Sequence, residues 1–288
     1  MINRQALVGL IGANIMKSLS PAMQIDAFAA AGIAGHYHLM DVEQLPGRTL
    51  ESLLQAAKTA GFIGVNVTYP FKQAIIPLLD EVSPEARQIG AVNIVTISRD
   101  GRTMGNNTDR SGFRRNFEAA LGRGAAAGKT AVLIGAGGAG SAVAFALMDL
   151  GIETLFVHDS DRARAKALTG ALRVHFGAAR CRLSENLDAE IAAADGVCNA
   201  TPVGMTGIPG NPVPMDNVSS RHWVADVIYS PIETELIKAA AARGARTLTG
   251  GGMSVFQAVD SFRIFTGIDP DPVRMAATFA RALAERGL

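Results

Sequence analysis

The chain has 288 residues, a formal net charge of +1, 48% hydrophobic residues and only 18% charged ones. That length can bury a large core and suits two domains, and the composition excludes a disordered chain. The absence of a lysine- or arginine-rich stripe excludes nucleic acid or an anionic membrane surface as the main partner, and two cysteines, Cys181 and Cys198, without ligand spacing point to free thiols in a cytoplasmic protein with no metal site.

The opening stretch MINRQALVGLIGANIM sets one arginine before a short apolar run. The run breaks at Gly12 and Asn14 and no small-x-small cleavage site follows, so residues 5–11 read as a first strand rather than a leader. Ser20 and Pro21 start a helix ending at Gly32, with Ser20 as N-cap and Pro21 as the first helical residue. HYHLMDV is a second strand, and TLESLLQAAKTAG is an amphipathic helix closed by Gly61. In GVNVTYPFKQ, residues 64–73, Val65 and Val67 read as a buried strand and Pro70 as the start of a helix. Lys72 then falls in the helix's first turn, where the unpaired N–H groups oppose a cation by about 0.3–1 kcal/mol. AVNIVTIS and a turn at Asp100-Gly101 follow.

LGRGAAAGKT, residues 121–130, is a run of small residues that reads as a loop or linker. Beyond it the pattern restarts with strand TAVLIG, a helix to Leu150, strand TLFVHD and a helix from about Arg162. Strands GVCNA, WVADVI and ARTLT come later, and Ser230 to Glu233 reads as a capping box before a helix ending at Gly244. From Met253 onward two helices joined by a turn at Asp269–Pro272 have no strands of their own, so they are expected to pack back onto the first domain. TAVLIGAGGAGSAVAFALMDL is nearly uncharged over a membrane-spanning length, but its clustered glycines favour a strand-to-helix turn.

GAGGAG places Gly135, Gly137 and Gly140 in G-x-G-x-x-G spacing between a strand and a helix. Gly135 permits a tight turn, Gly137 lets N–H groups approach a pyrophosphate, and Gly140 allows close packing of helix on strand. The whole turn, Gly135, Ala136, Gly137, Gly138, Ala139 and Gly140, is the candidate cofactor cradle, with a purely structural turn as the bland alternative. Asp159 ends the next strand, where an acid accepts hydrogen bonds from the ribose hydroxyls of NAD and repels the extra phosphate of NADP. It would otherwise cap the following helix. Arg162 and Arg164 lie close behind, and an arginine there can accommodate a 2′-phosphate; Arg164 joins the cofactor set, and NAD is favoured over NADP. NATPVGM follows another strand, which puts Thr201 and Pro202 near the nicotinamide unless the segment is an ordinary Pro/Gly loop.

Polar groups recur at strand ends in the first domain: Ser18 and Ser20, Thr68 and Lys72, Asn93, and Asp109. Each has a structural alternative. Ser20 would cap its helix, Thr68 end its strand, Asn93 bond backbone, and Asp109 cap the helix DRSGFRRNFEAALG. Lys72 fits the bland reading least, because it breaks a local preference.

Taken in order, SLSP, GVNVTYPFK, GAVN, GNNTD, GAGGAGSA, NATPVGM, DVIYSPIETEL and GGGMSVFQAVDSF resemble the shikimate/quinate dehydrogenase family essentially end to end. Asp159 in VHDSDRARAKAL looks like the NAD-using branch. The resemblance implies an α/β fold: a Rossmann-like doubly wound NAD-binding domain over 111–253 and an α/β substrate domain over 1–110, completed by the C-terminal helices of 254–288, with the active site in the cleft between them. It also implies that Ser18 and Ser20 hold the substrate carboxylate, that Thr68, Asn93, Asp109 and Gln257 hold ring hydroxyls, and that Tyr229 faces substrate. Lys72 and Asp109 sit at the reacting hydroxyl, and Gly252 joins the cofactor set.

Shikimate and quinate are small carboxylates carrying several hydroxyls, and such ligands need many directed hydrogen bonds. Oxidation of an alcohol leaves a proton that Lys72 can take if it spends time neutral, which a helix terminus and desolvation would favour. Quinate-preferring relatives commonly have Thr at the position of Ser20, so Ser20 favours shikimate. Two rivals are a non-catalytic NAD- or metabolite-binding protein on the same fold and a dehydrogenase acting on an amino acid or folate. Lys72, Asp109 and Gln257 together argue against the first, and the paired serines and GNNTD against the second. A monomer or homodimer is expected.

Overall fold

Alternating apolar strands and helices build two compact units, one from residues 5–108 and 255–286 and the other from 109–254. The structure, a computed structural model, describes residues 5–286; residues 1–4 and 287–288, at the ends of the expected first domain, lie outside the described residues.

In the first unit β1 (Gln5–Gly12), α1 (Ser20–Ala30), β2 (Ala34–Asp41), α2 (Leu50–Thr59) and β3 (Gly64–Val67) form two successive crossovers. β4 (Glu81–Val82), α3 (Pro84–Ile89), β5 (Ile94–Ile97) and β6 (Thr103–Asn106) follow, and the sheet order is β2-β1-β3-β5-β6-β4. Five strands run the same way and β5 alone is reversed, pairing antiparallel with β3 and β6. Ile11, Val65, Val67, Ile75, Val92 and Val95 fill the core on one face.

Two local expectations fail here. Pro70 does not open a helix: residues 69–75 form turns, with Phe71 N donating to Thr68 O at 2.8 Å and Ile75 N to Phe71 O at 2.9 Å, and only Ile76–Leu78 make a 3-10 turn. The Lys72 carbonyl accepts from Val92 N at 2.8 Å, so it is diverted from the intrahelical bond it would otherwise accept. Lys72 is therefore not at a helix N-terminus, and the helix-dipole argument does not apply to it. Ser20 does not cap α1 either; Leu19 holds the cap position without a side-chain bond, and Ser18 Oγ accepts from Ser20 N at 3.3 Å.

The second unit runs α4 (Asp109–Leu121), β7 (Thr130–Ile134), α5 (Gly138–Asp149), β8 (Thr154–His158), α6 (Arg162–Phe176) and β9 (Cys181–Leu183). It continues with α7 (Leu187–Ala193), β10 (Gly196–Asn199), β11 (Trp223–Asp226), α8 (Glu235–Ala242) and β12 (Arg246–Leu248). The sheet is wholly parallel in the order β12-β11-β10-β7-β8-β9. Numbered from β7 this is the doubly wound order of dinucleotide-binding domains, which reverses direction between β7 and β10. Every residue of β10 and β11 is buried, as expected for a sheet covered on both faces. The nearly uncharged stretch after Lys129 divides into β7 and the short α5, and among the described residues no helix is long and apolar enough to cross a membrane.

α8 is capped by Thr234, whose Oγ1 accepts from Ile237 N at 3.3 Å, and not by a box at Ser230–Glu233; the Ser230 carbonyl instead accepts from Thr206 N at 2.9 Å. α9 (Gly250–Thr266) begins three residues before Met253, in the second unit, and continues into the first. There α10 (Pro272–Glu285) is fastened to α1 by the Arg274 guanidinium, which donates to both oxygens of Asp26 at 2.7 and 2.8 Å.

The Trp223 ring lies over β10 because its strand neighbour Gly196 has no side chain: a Cβ there would stand 1.9 Å from that ring, which is itself edge-on to Phe117. Gly196→Val should lower unfolding stability by about 1–3 kcal/mol or more, since Trp223 is fully buried and has no free space to move into; the urea midpoint measures it.

Candidate functional site

In the first unit, register gathers the candidate polar residues at one end of the sheet. Ile11 is paired with Val67, and Thr68 N donates to Ile11 O at 3.0 Å, so Thr68 leaves the sheet where β1 stops. β5 enters at that end because it is reversed; Val67 N donates to Asn93 O at 2.8 Å. Asn93 is buried and bonds Thr108 reciprocally, its Nδ2 donating to Oγ1 at 2.9 Å and its Oδ1 accepting from N at 2.8 Å. Half-buried Lys72 is tied to the same edge through Val92.

The loop after β1 carries Ser18 and is shaped by the buried carboxylate of Asp41, which accepts from Asn14 N at 3.0 Å, Ile15 N at 2.8 Å and Glu43 N at 3.1 Å. Arg286 Nη1 donates to the Lys17 and Ser18 carbonyls at 2.7 and 3.1 Å. α9 runs antiparallel to β3. Phe265 occupies the space a Gly64 Cβ would need, and Asn66 Nδ2 donates to Ser261 Oγ at 3.0 Å. Four helical residues rise about as far as two strand residues, roughly 6 Å, so Gln257 comes level with Thr68. Ser18, Thr68, Lys72, Asn93 and Gln257 thus share one end of this unit, and Ser20 begins α1 beside Ser18. Buried Asp109 is the first residue of α4 and directly follows Thr108.

In the second unit the glycine turn joins β7 to α5 at the point where the strand order reverses. Gly135 has φ +104°, and a Cβ there would lie 2.8 Å from the Ala200 carbonyl, so the turn and the NATPVGM loop touch through backbone. Gly140 backs onto the Gly135 carbonyl, 2.0 Å from a built Cβ, which only glycine tolerates. Gly137, by contrast, opens onto space, with nothing within 4 Å of a Cβ. With the α5 N-terminus presenting N–H groups, this is a cradle that fits a dinucleotide pyrophosphate. Asp159 faces it: Oδ2 accepts from Ala136 N at 2.7 Å and Oδ1 from Asp161 N at 2.8 Å. The cap of α6 is Asp161, not Asp159. Arg164 is paired with Asp161 at 3.3 Å.

Thr201 bonds Asn199 Oδ1 through both N (2.9 Å) and Oγ1 (2.7 Å), while Pro202 is exposed. Tyr229 lies in the loop between β11 and α8. Gly252 has a packing reason of its own, because a Cβ would stand 2.0 Å from Asn116 Oδ1, whose amide donates to Thr249 O at 2.9 Å.

Two organising residues, Asn199 and Asp226, carry no role in the sequence reading although both stand in quoted motifs. Asp226 is buried at the end of β11 and accepts from Asn199 Nδ2 (3.0 Å), Thr234 Oγ1 (2.7 Å) and Ile228 N (3.1 Å). Burial pushes its carboxyl up to about 6, against the opposing pull of those three donors. A polar residue ending an apolar strand is the signal that was available.

A doubly wound parallel sheet with an open glycine turn at its reversal point defines a dinucleotide-binding protein. Residues 10–95 match the model of the shikimate dehydrogenase substrate binding domain. The chain is 49% identical to a quinate/shikimate dehydrogenase (NAD(+)) of Corynebacterium efficiens, over 95% of this chain and 97% of that protein. It is 46% identical to a shikimate dehydrogenase (NADP(+)) of Streptomyces avermitilis, over 95% of this chain and 94% of that protein. The solved quinate dehydrogenase from Corynebacterium glutamicum in complex with NAD superimposes with a TM-score of 0.89 at 46% identity, covering 97% of this chain and all of that one. The chain belongs to the shikimate/quinate dehydrogenase family.

Asp226 makes stability depend on pH. Its folded pKa lies above its unfolded value near 3.8, so the folded state holds the proton more tightly. That contribution is complete below 3.8 and is lost as pH rises through about 6. The unfolding free energy of the wild type minus that of Asp226→Asn should therefore fall by about 2 kcal/mol from pH 4 to pH 7, read from urea titrations.

Proposed function

We propose that the protein is an NAD-dependent dehydrogenase that reversibly oxidises shikimate to 3-dehydroshikimate, with quinate, giving 3-dehydroquinate, as the alternative substrate. The observation that carries this reading is the gathering of Ser18, Thr68, Lys72, Asn93 and Gln257 at one sheet end, in a chain whose other sheet carries an open glycine turn. So many directed donors and acceptors suit a small polyhydroxylated acid and leave analogues with unpaired groups. Relatives named for NAD(+) and for these two substrates support it.

In this reading residues 5–108 with 255–286 form the substrate-binding unit and 109–254 the NAD-binding unit. Ser18 and Ser20 hold the carboxylate, and Thr68, Asn93, Asp109 and Gln257 hold ring hydroxyls, with Tyr229 also facing substrate. Lys72 accepts the proton of the reacting hydroxyl, and Asp109 orients that exchange. NAD, when bound, supplies the hydride acceptor. Residues 135–140 cradle its pyrophosphate, Asp159 and Arg164 meet the adenosine ribose, Thr201 and Pro202 meet the nicotinamide, and Gly252 contributes backbone. Serine rather than threonine at position 20 favours shikimate, since one methyl typically changes discrimination by about 1–3 kcal/mol. Both cysteines are buried free thiols, which suits a reducing compartment such as the cytoplasm.

Formation of NADH from shikimate and NAD at alkaline pH is the primary test, with quinate and unrelated hydroxy acids alongside. Lys72→Ala should lower turnover by roughly 10²–10⁴-fold with NAD binding little changed. Undiminished turnover removes Lys72 from the chemistry, and binding of NADH and shikimate without turnover in the wild type favours a non-catalytic binding protein.

Asp159→Ala should weaken NAD binding and improve that of NADP, because it deletes an acceptor and a repelling charge. The same change strips Ala136 N of its partner, so the loss toward NAD should exceed the gain toward NADP in calorimetric titrations.

A further inference from the structure

The relatives at 49% and 46% identity carry different cofactor names, so overall similarity does not set the choice at the 2′-position and the residues around that position must. Asp159 is the obvious one; its neighbourhood holds another. β9 runs parallel to β8 with Leu183 opposite Val157, and Ser184 N donates to Val157 O at 2.9 Å. Continuing that register puts Glu185 beside Asp159. The loop bearing Glu185 is fixed, because the Glu190 carboxylate accepts from Glu185 N at 2.9 Å, from Asn186 N at 3.3 Å and from the Ser184 hydroxyl. Asp159, Arg162, Ser184 and Glu185 line one cavity of about 130 Å³. Across it Arg162 Nη2 donates to both Glu185 oxygens at 2.7 Å.

We propose that Glu185 is a cofactor-selectivity residue, acting as a latch that holds Arg162 and withholds its guanidinium from a ribose 2′-phosphate. This rests on the nucleotide-site reading above. Arginine is the side chain best suited to a phosphate, and its presence beside Asp159 would otherwise favour a phosphorylated ribose. The second arginine, Arg164, is likewise engaged, by Asp161. Three carboxylates, of Asp159, Asp161 and Glu185, therefore stand against two guanidiniums where a 2′-phosphate would add about two more negative charges. The Arg162 and Glu185 side chains are 63% and 66% exposed, and such pairs add little to folding stability, so the latch can be opened without unfolding the domain.

Calorimetric titration of the full chain with adenosine 2′,5′-bisphosphate and with adenosine 5′-monophosphate tests this without turnover. Glu185→Gln and Glu185→Ala should each tighten the bisphosphate by about fivefold to twentyfold, leave the monophosphate within about twofold, and leave the melting temperature unchanged. Adding Arg162→Ala should abolish the gain. Unchanged bisphosphate affinity, or a gain that survives loss of Arg162, overturns the latch. Wild-type protein that binds neither NAD nor the monophosphate overturns the nucleotide-site reading and the latch together, whereas NAD binding with unaltered bisphosphate affinity in the variants overturns the latch alone.

Discussion

The buried carboxylate of Asp226 accepts hydrogen bonds from Asn199, Thr234 and the Ile228 amide, and two loops at the carboxyl end of the parallel sheet take their shape from it. Thr234 uses its hydroxyl to bridge Asp226 and the first turn of α8, which fixes where the loop carrying Tyr229 must end. Asn199, with its amide committed to Asp226 and to the Val203 carbonyl, can offer only its oxygen to Thr201. A buried acceptor left without donors costs about 1–3 kcal/mol, and more when charged. The loops are therefore constrained to bring donors inward, and their outer faces follow from that.

Asp41 works the same way in the other unit, at the end of β2, by collecting three loop amides into one carboxylate. Asp159, one residue past β8, takes an amide of the glycine turn. In each case a polar residue at or just past the end of an apolar strand sets the backbone that presents other residues, and Asp41 and Asp226 have no chemical role of their own in the proposed reaction. Substitution at Asp41 or Asp226 would act on ligand binding through loop geometry, without removing any group that contacts a ligand, whereas substitution of Asp159 would also remove the proposed ribose acceptor.

Apolar runs were legible in the sequence: β7, β8, β10 and β11 start where expected and stop within two residues of it. The two- and three-residue strands β4 and β9 and the short helices α3 and α7 offered too few residues for a period to emerge. The segment after Tyr69 carried a correct helix-start signature and still failed, because one long-range bond, from Val92 N to the Lys72 carbonyl, outweighs a local preference. The glycine turn was readable because each glycine answers a local backbone demand. Asp41, Asn199 and Asp226 were not, because their importance appears only once register shows which amides they meet.

The reversed strand of the first sheet explains how that unit concentrates polar groups. In a wholly parallel sheet only the residues following each strand reach the carboxyl end, as in the second unit. Reversing β5 brings its preceding residue, Asn93, to the edge where β1, β3 and β6 finish, and Thr108 after β6 locks onto it. One sheet edge then receives residues from strand exits and a strand entrance, within a few residues of backbone already anchored by ladder bonds. A ligand with a carboxylate and several hydroxyls on a rigid ring needs acceptors and donors spread in more than one direction, which exits alone would supply from a single side. The mixed topology thus makes the first sheet suited to a polyhydroxylated acid, and the parallel one to a phosphate-bearing dinucleotide that needs little more than free amides and a single carboxylate.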